Sequence, residues 1–200
     1  MRGQILQSSD RELRDALHRK VLKDHHLCPS TVVVDELGLA HGKIRVDVAV
    51  LNGYLHGYEI KSSKDNLSRF TNQLHEYQKC FQKLTIIAAP NHIGDVSCAV
   101  PAWCGIIEAR KGPRGGISFA TIRKSQLNPK VDSLALAHLL WRKEAIELLN
   151  RFGKTQKELS APRKRLYEMI ASETSSTELV SWIKEKFTER EAWRSDLRRM

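Results

Sequence analysis

One hairpin constrains the fold of this chain more than any other feature. From residue 44 to residue 50, valine or isoleucine occupies every second position, the period-2 pattern of a strand with one face in the core. The strand ends in Asn52-Gly53, a pair typical of a tight type I′ turn. The next run, 54–63, is therefore predicted to return antiparallel beside the first strand.

Helical and strand patterns alternate on either side of this hairpin. Helices are predicted over 10–23 and 67–81, a buried central strand over 84–89, and a second hairpin over 103–123. Helix formers dominate after Asn128-Pro129, with helices expected over 134–149, 163–171 and 178–187. The sequence thus predicts an α/β unit over 1–130 and a basic, all-helical C-terminal unit over 131–200.

The charge balance favours a polyanionic partner. The chain carries 33 Lys and Arg against 23 Asp and Glu, a net charge of +10. Such a surface favours nucleic acid, with DNA as the expected partner, although a basic surface that only aids solubility has the same composition. The C-terminal helices could also bind a second copy of the chain or another protein.

The sequence indicates neither a membrane span nor a secretory signal. No stretch approaches the roughly 18 to 20 apolar residues of a membrane helix. The first 13 residues contain no long apolar core of the kind that a signal peptide requires. We therefore expect a cytoplasmic protein with no membrane partner.

Two carboxylates and an ammonium on neighbouring strands form the candidate site. Glu59 and Lys61 are two residues apart, so they share one strand face and lie close to Asp47 on the paired strand. Asp47 and Glu59 supply the oxygen ligands that a divalent cation prefers, and the Ile60 carbonyl can add a backbone ligand. A bound metal would lower the pKa of its water for phosphodiester hydrolysis, and Lys61 would hold or deprotonate that water. The alternative is an exposed cross-strand charge cluster, worth about 0.2–1 kcal/mol per pair.

This set of residues resembles the motif of the PD-(D/E)XK, or restriction-endonuclease-like, nuclease superfamily. Asp47 corresponds to the motif aspartate, with Val46 where the name has proline, and Glu59 and Lys61 correspond to the (D/E)-x-K element. Segments across nearly the whole chain resemble a small bacterial and phage family within that superfamily, which has a C-terminal helical region. The resemblance implies an αβββαβ core with a mixed sheet, Mg²⁺ as cofactor with Mn²⁺ able to replace it, and hydrolysis of DNA by a metal-activated water.

Five further positions complete the predicted site. Gln73 and Tyr77 match the Q-x-x-x-Y pattern of the same superfamily and would join the catalytic group, although Tyr77 also lies on the apolar stripe of its helix. The resemblance implies Glu36 as an additional metal ligand; its alternative role is to cap or solvate a strand end. Lys64 and Arg69 follow the second strand and are candidates for phosphate contacts. The alternative function is a non-catalytic module that keeps the fold and binds nucleic acid or protein.

Overall fold

A six-stranded mixed sheet organises the protein, in a computed structural model that describes residues 6–197. The strands are β1 Val32–Leu39, β2 Ile44–Leu51, β3 Leu55–Lys61, β4 Lys83–Ala88, β5 Gly105–Lys111 and β6 Ile117–Arg123. They lie in the sheet in chain order. Pairing is antiparallel from β1 to β3, parallel from β3 to β5, and antiparallel between β5 and β6.

Helices surround the sheet and dominate the last third of the chain. They are α1 Asp10–Lys20, α2 Lys23–Leu27, α3 Phe70–Cys80, α4 Ile93–Ala99, α5 Ser133–Ala137, α6 Arg142–Arg151, α7 Gln156–Leu159, α8 Arg163–Glu173 and α9 Ser176–Leu197. None of these described helices is both long and apolar enough to cross a bilayer. The predicted α/β class, mixed sheet and helical C-terminal region are confirmed.

Two hydrophobic layers enclose the sheet. On one face, Leu13 and Leu17 of α1 pack with side chains of β2 to β4 such as Val48 and Ile60. On the other face, α3, α4 and the helices from α5 to α9 join a second, larger cluster with the sheet. The predicted boundary at residue 130 falls in the connection between β6 and α5, and the larger cluster includes residues from both sides of it.

Helices on both faces change the burial expected for β2. The valines do not share one core face: Val46 belongs to the cluster with α3, whereas Val48 and Val50 belong to the cluster with α1. Ala49 and Leu51, on the alternate positions, are also fully buried. The prediction of a strand with a single buried face is wrong, because α1 covers the side of Val48 and Val50 and the cluster with α3 covers the side of Ala49 and Leu51.

The predicted helix 134–149 is also wrong, because the chain forms α5 and α6 with a break between them. Tertiary hydrogen bonds use the backbone carbonyls that the break frees. The Tyr167 hydroxyl donates to the Leu140 carbonyl over 2.6 Å, and the Arg190 guanidinium donates to the Leu139 carbonyl over 3.1 Å. Such partners are distant in sequence, so helix propensity could not reveal the break.

Partly buried His56 on β3 makes the stability of the fold depend on pH. Its Nε2 lies 2.8 Å from Thr85 Oγ1, and its ring stacks on Tyr58. Burial, with smaller effects from Lys83 and His25, lowers the pKa of His56 to about 3. The unfolded chain, with an ordinary pKa of about 6.5, binds this proton more readily, so the free energy of unfolding falls as the pH drops below about 6.5.

We expect His56→Gln to reduce this loss of stability in acid. Chemical unfolding at pH 7.5 and pH 5.0 measures it, and the wild type should lose about 1–2 kcal/mol more than the variant over this interval. His75→Gln is the control, since His75 is exposed on α3. Equal pH slopes for the wild type and His56→Gln would contradict the role of His56.

Candidate active site

The site lies where β2 and β3 separate. Their antiparallel pairing stops at Val48 and Tyr58, while β3 continues beside β4 as far as Lys61. The backbone N–H of Ile60 is beyond the β2 backbone pairing at this point and donates instead to the Asp47 side chain, at Oδ2 over 2.6 Å. The carbonyl of Ile60 faces the same gap, because the N–H and C=O of one strand residue project toward the same edge. A carboxylate and a carbonyl therefore border one opening in the sheet.

Four of the predicted side chains form one hydrogen-bonded chain beside this opening. Lys61 Nζ donates to Glu59 Oε1 over 2.8 Å and to Gln73 Oε1 over 3.0 Å. The Tyr77 hydroxyl lies 2.8 Å from Glu59 Oε2 and 2.6 Å from the Arg45 carbonyl oxygen. Glu59 is 3% exposed and Lys61 is 7% exposed. The alternative of an exposed charge cluster is therefore wrong, and α3 presents Gln73 and Tyr77 to β3 as their i,i+4 spacing indicated.

The two acids of the site repel each other in a poorly solvated place. Burial, reinforced by the charge of Glu59, raises the pKa of Asp47 to about 7. Burial also raises the pKa of Glu59, against the opposing effects of Lys61 and Tyr77. Ionised carboxylates in such surroundings are costly unless a cation neutralises them. The opening between β2 and β3 therefore favours the binding of positive charge.

Arg14 of α1, which was not among the predicted site residues, contributes positive charge here. Its guanidinium contacts Asp47 Oδ1 at 2.8 Å, Asp10 at 3.1 Å and Glu36. Asp10 and Arg14 stand four residues apart on one helix face, which was a visible signal for an ion pair. No pattern in the sequence indicated that α1 packs near β1 and β2 and so brings Arg14 to Asp47.

Glu36 faces Asp47 across the β1–β2 pair. The pairs on either side, Asp35 with Val48 and Leu37 with Val46, place it directly opposite. Its φ of 52° is in the left-handed region, which costs on the order of 1–3 kcal/mol for a residue other than glycine and is typical of functional sites. Its half-exposed carboxylate reaches Arg14.

A cleft of about 610 Å³ opens above these residues. Asp47, Glu59 and Lys61 line it from below, and exposed basic side chains line its edge: Lys43, Arg45 and Arg69. Of the two predicted phosphate contacts, Arg69 lines the cleft, whereas Lys64 is exposed in the loop after β3 and is not among the lining residues. The cleft thus has an acidic floor and a basic edge. This arrangement suits a phosphodiester, which can contact a cation bound at the floor and the positive side chains at the edge.

The oxygen donors fit a small divalent cation. Among the side chains that the structure describes, no three His, Cys, Asp or Glu residues converge into a complete metal cage. Mg²⁺ does not need one, because it usually keeps several waters and binds through one or two carboxylates. The carboxylates of Asp47 and Glu59, with the Ile60 carbonyl, form a set of this kind.

Known proteins and one protein family are similar to this chain. A solved structure, the SPO1766 protein of unknown function from Silicibacter pomeroyi, is similar with a TM-score of 0.45 and 21% identity over 74% of this chain and 90% of that chain. Protein cII of Enterobacteria phage P4 is 30% identical over 146 residues, or 73% of this chain and 54% of the relative, so the chain spans about half of that relative's length. Residues 7–199 match the family described as Bacteriophage P4 protein cII. The chain therefore belongs to the bacteriophage P4 protein cII family.

Proposed function

We propose that this protein is a metal-dependent nuclease of the PD-(D/E)XK superfamily that hydrolyses phosphodiester bonds in DNA in the cytoplasm. The observation that carries this function is the convergence in one cleft of an acid from β2, a buried Glu-x-Lys pair from β3 and Gln73 of α3, with the buried Tyr77 hydrogen-bonded to Glu59 behind them. The order of α1, β1–β3, α3 and β4 supports the αβββαβ core of a restriction-endonuclease-like fold. Buried titratable groups in a cleft are typical of catalytic sites.

Asp47, Glu59 and the Ile60 carbonyl would hold the cofactor Mg²⁺, or Mn²⁺ in its place, with Glu36 as a further candidate ligand. When bound, this cation supplies Lewis-acid polarisation of the phosphoryl oxygen and a water of lowered pKa for in-line attack. Tyr77 positions Glu59 by hydrogen bonding to Oε2, which leaves the carboxylate little freedom to rotate. The acids are therefore held in place before a substrate arrives.

Lys61 acts on the attacking water. An ammonium has three N–H donors, and Glu59 and Gln73 take two of them. The third can hold the water or a phosphate oxygen, and Lys61 can accept the proton of the water when it is neutral. Gln73 is a positioning residue, because it acts through Lys61.

The basic edge of the cleft binds the phosphates next to the scissile bond. Lys43, Arg45 and Arg69 lie in the lining, and Lys64, exposed in the loop after β3, is a further candidate for a phosphate contact. Contacts of this type release counterions, so we expect affinity for DNA to fall steeply with salt, at a log–log slope of about −0.9 per phosphate contact.

A cleavage panel tests this function. Supercoiled plasmid, linear duplex, single-stranded DNA and RNA are incubated with the protein in Mg²⁺, in Mn²⁺ and in EDTA. We expect cleavage of at least one DNA in either metal and none in EDTA. Cleavage of RNA alone would contradict the assignment to DNA, and a failure to cut any of the four substrates in either metal would contradict a nuclease.

Arg14 also supports a second candidate, a non-catalytic module that binds nucleic acid or protein. A guanidinium that contacts both Glu36 and Asp47 neutralises these acids without any metal. A module that keeps the fold but not the reaction needs such a compensating charge. The two candidates differ in whether Arg14 competes with a divalent cation.

If the protein is a nuclease, Arg14→Gln should bind Mn²⁺ more tightly. A partly exposed ion pair is worth about 1 kcal/mol, so its removal should lower the Kd for Mn²⁺ about fivefold, as isothermal titration calorimetry would measure. Arg11→Gln, an exposed change on the same helix, should leave the Kd unchanged. No Mn²⁺ binding by the wild type or by Arg14→Gln would favour the module.

A further inference from the structure

Three aromatic rings cluster beside the cleft, at the turn between β1 and β2. The His41 ring centroid lies 4.4 Å from that of His138 and 6.3 Å from that of Tyr167, and the last two are 5.1 Å apart. Tyr167 is buried, and its hydroxyl donates to the Leu140 carbonyl over 2.6 Å, which fixes the ring. His41 is exposed and His138 is half-buried. The cluster therefore offers a rigid aromatic surface with its outer ring open to solvent.

The backbone holds the His41 ring in this position at a cost. Ala40 has a φ of 47°, and His41 has a φ of 60° and a ψ of 35°. Residues other than glycine seldom adopt this left-handed conformation, and a structure that holds two in succession must stabilise them through their surroundings. A tilted contact between the His41 and His138 rings, with an interplanar angle of 40°, is what this turn provides.

Positive charge connects the rings to the cleft. Lys43 lines both the cleft and the adjoining cavity next to His41 and His138. Beyond the rings, Arg163 and Lys164 at the start of α8 line an apolar cavity of about 320 Å³ together with all three rings. Of the acids in the adjoining cavity, Glu76 is paired with Lys79, and Asp132 caps α5. The groove thus combines aromatic rings with a row of cations.

We propose that this aromatic and basic groove binds a single-stranded stretch of nucleic acid that continues from the strand in the cleft. The inference rests on the proposed function, since the same strand would pass both sites. Aromatic rings in a positively charged groove are the chemistry that recognises exposed bases and phosphates. Bases inside a duplex are stacked on one another and cannot lie on the His41 ring, so the groove selects unpaired strands.

Binding without cleavage tests the groove. The protein is titrated in EDTA against a fluorescent oligothymidine of about 12 nucleotides, within the usual range of site sizes, and anisotropy is measured. His41→Asn removes the ring while suiting the left-handed backbone, because asparagine tolerates this conformation. We expect it to weaken binding about tenfold, the effect typical of one stacked base. His75→Asn, an exposed histidine outside the groove, should change binding less than twofold.

An abasic oligomer of the same length separates stacking from phosphate contacts. The wild type should prefer oligothymidine to the abasic strand, and His41→Asn should lose this preference. Lys164→Ala should weaken binding of both strands, whereas Arg165→Ala, next to it on α8 but outside the groove, should not. Unchanged oligothymidine binding by His41→Asn, or an equal loss for both strands, would overturn the groove. Binding is measured in EDTA, so its outcome does not depend on cleavage. A protein that binds in this way but cuts no substrate in Mg²⁺ or Mn²⁺ would overturn only the nuclease proposal.

Discussion

Asp47→Asn should lower the rate of DNA cleavage by roughly 10³-fold and leave the fold intact. A metal at the phosphoryl group contributes several kcal/mol of charge stabilisation, and each 1.4 kcal/mol is about a factor of ten in rate. An amide is a much weaker ligand for Mg²⁺ than a carboxylate. The fold should survive because the Ile60 N–H, which donates a hydrogen bond to Asp47 Oδ2, can donate the same bond to the side-chain oxygen of asparagine.

Single-turnover cleavage in Mg²⁺ measures this effect, with thermal unfolding as the test of folding. Asp95→Asn is the matched control, because Asp95 is exposed on α4 and does not line the cleft. It should cut at the wild-type rate. If Asp47→Asn also cut at that rate, Asp47 would not be a metal ligand, and the proposed site would be wrong.

Lys61→Arg should lose about 10²-fold or more in cleavage rate, even though it keeps the positive charge. Positioned acid and base groups typically contribute 10²- to 10⁴-fold. The ammonium of Lys61 lies between Glu59 and Gln73 and 5.3 Å from the centroid of the Phe70 ring. A guanidinium is planar, larger and effectively never neutral, so it would neither fit this position nor take a proton from water.

Metal affinity distinguishes the two possible roles of Lys61. Asp47 and Glu59 are unchanged in Lys61→Arg, so the Kd for Mn²⁺ should stay within about threefold of the wild type. Lys130→Arg, an exposed change between β6 and α5 that lies outside the cleft lining, is the control and should cleave normally. Full activity of Lys61→Arg with normal metal affinity would refute direct activation of water and leave a metal-dependent nuclease in place.

Local patterns predicted the strands that build the site. The alternation from 44 to 50 and the Asn52-Gly53 pair identified the first hairpin, which the structure forms as β2 and β3. The spacing of Glu59 and Lys61 placed them on one face, and the spacing of Gln73 and Tyr77 placed them on one side of α3. These relations follow from periods of 2.0 and 3.6 residues, which depend only on neighbouring positions.

Other features of the site had no local signal. Lys43 and Arg45 line the cleft because the sheet separates beyond Val48, not because of their own neighbours in sequence. Arg14 contacts Asp47 across 33 positions, and His41 contacts His138 across almost 100. Contacts of this range depend on how helices pack against the sheet, which a single sequence does not record.

The sequence by itself determined which residue types carry the chemistry and which short segments present them together. Only the tertiary structure decided that both faces of β2 are buried, that a guanidinium contacts Asp47, and that Glu59 and Lys61 are nearly inaccessible. The physical reason is that burial sets the electrostatics. A carboxylate in water is ionised at no great cost. The same group between packed layers must be paired with a cation or be protonated. Packing therefore turned a common charge pattern into a site with raised carboxylate pKa values and a demand for positive charge.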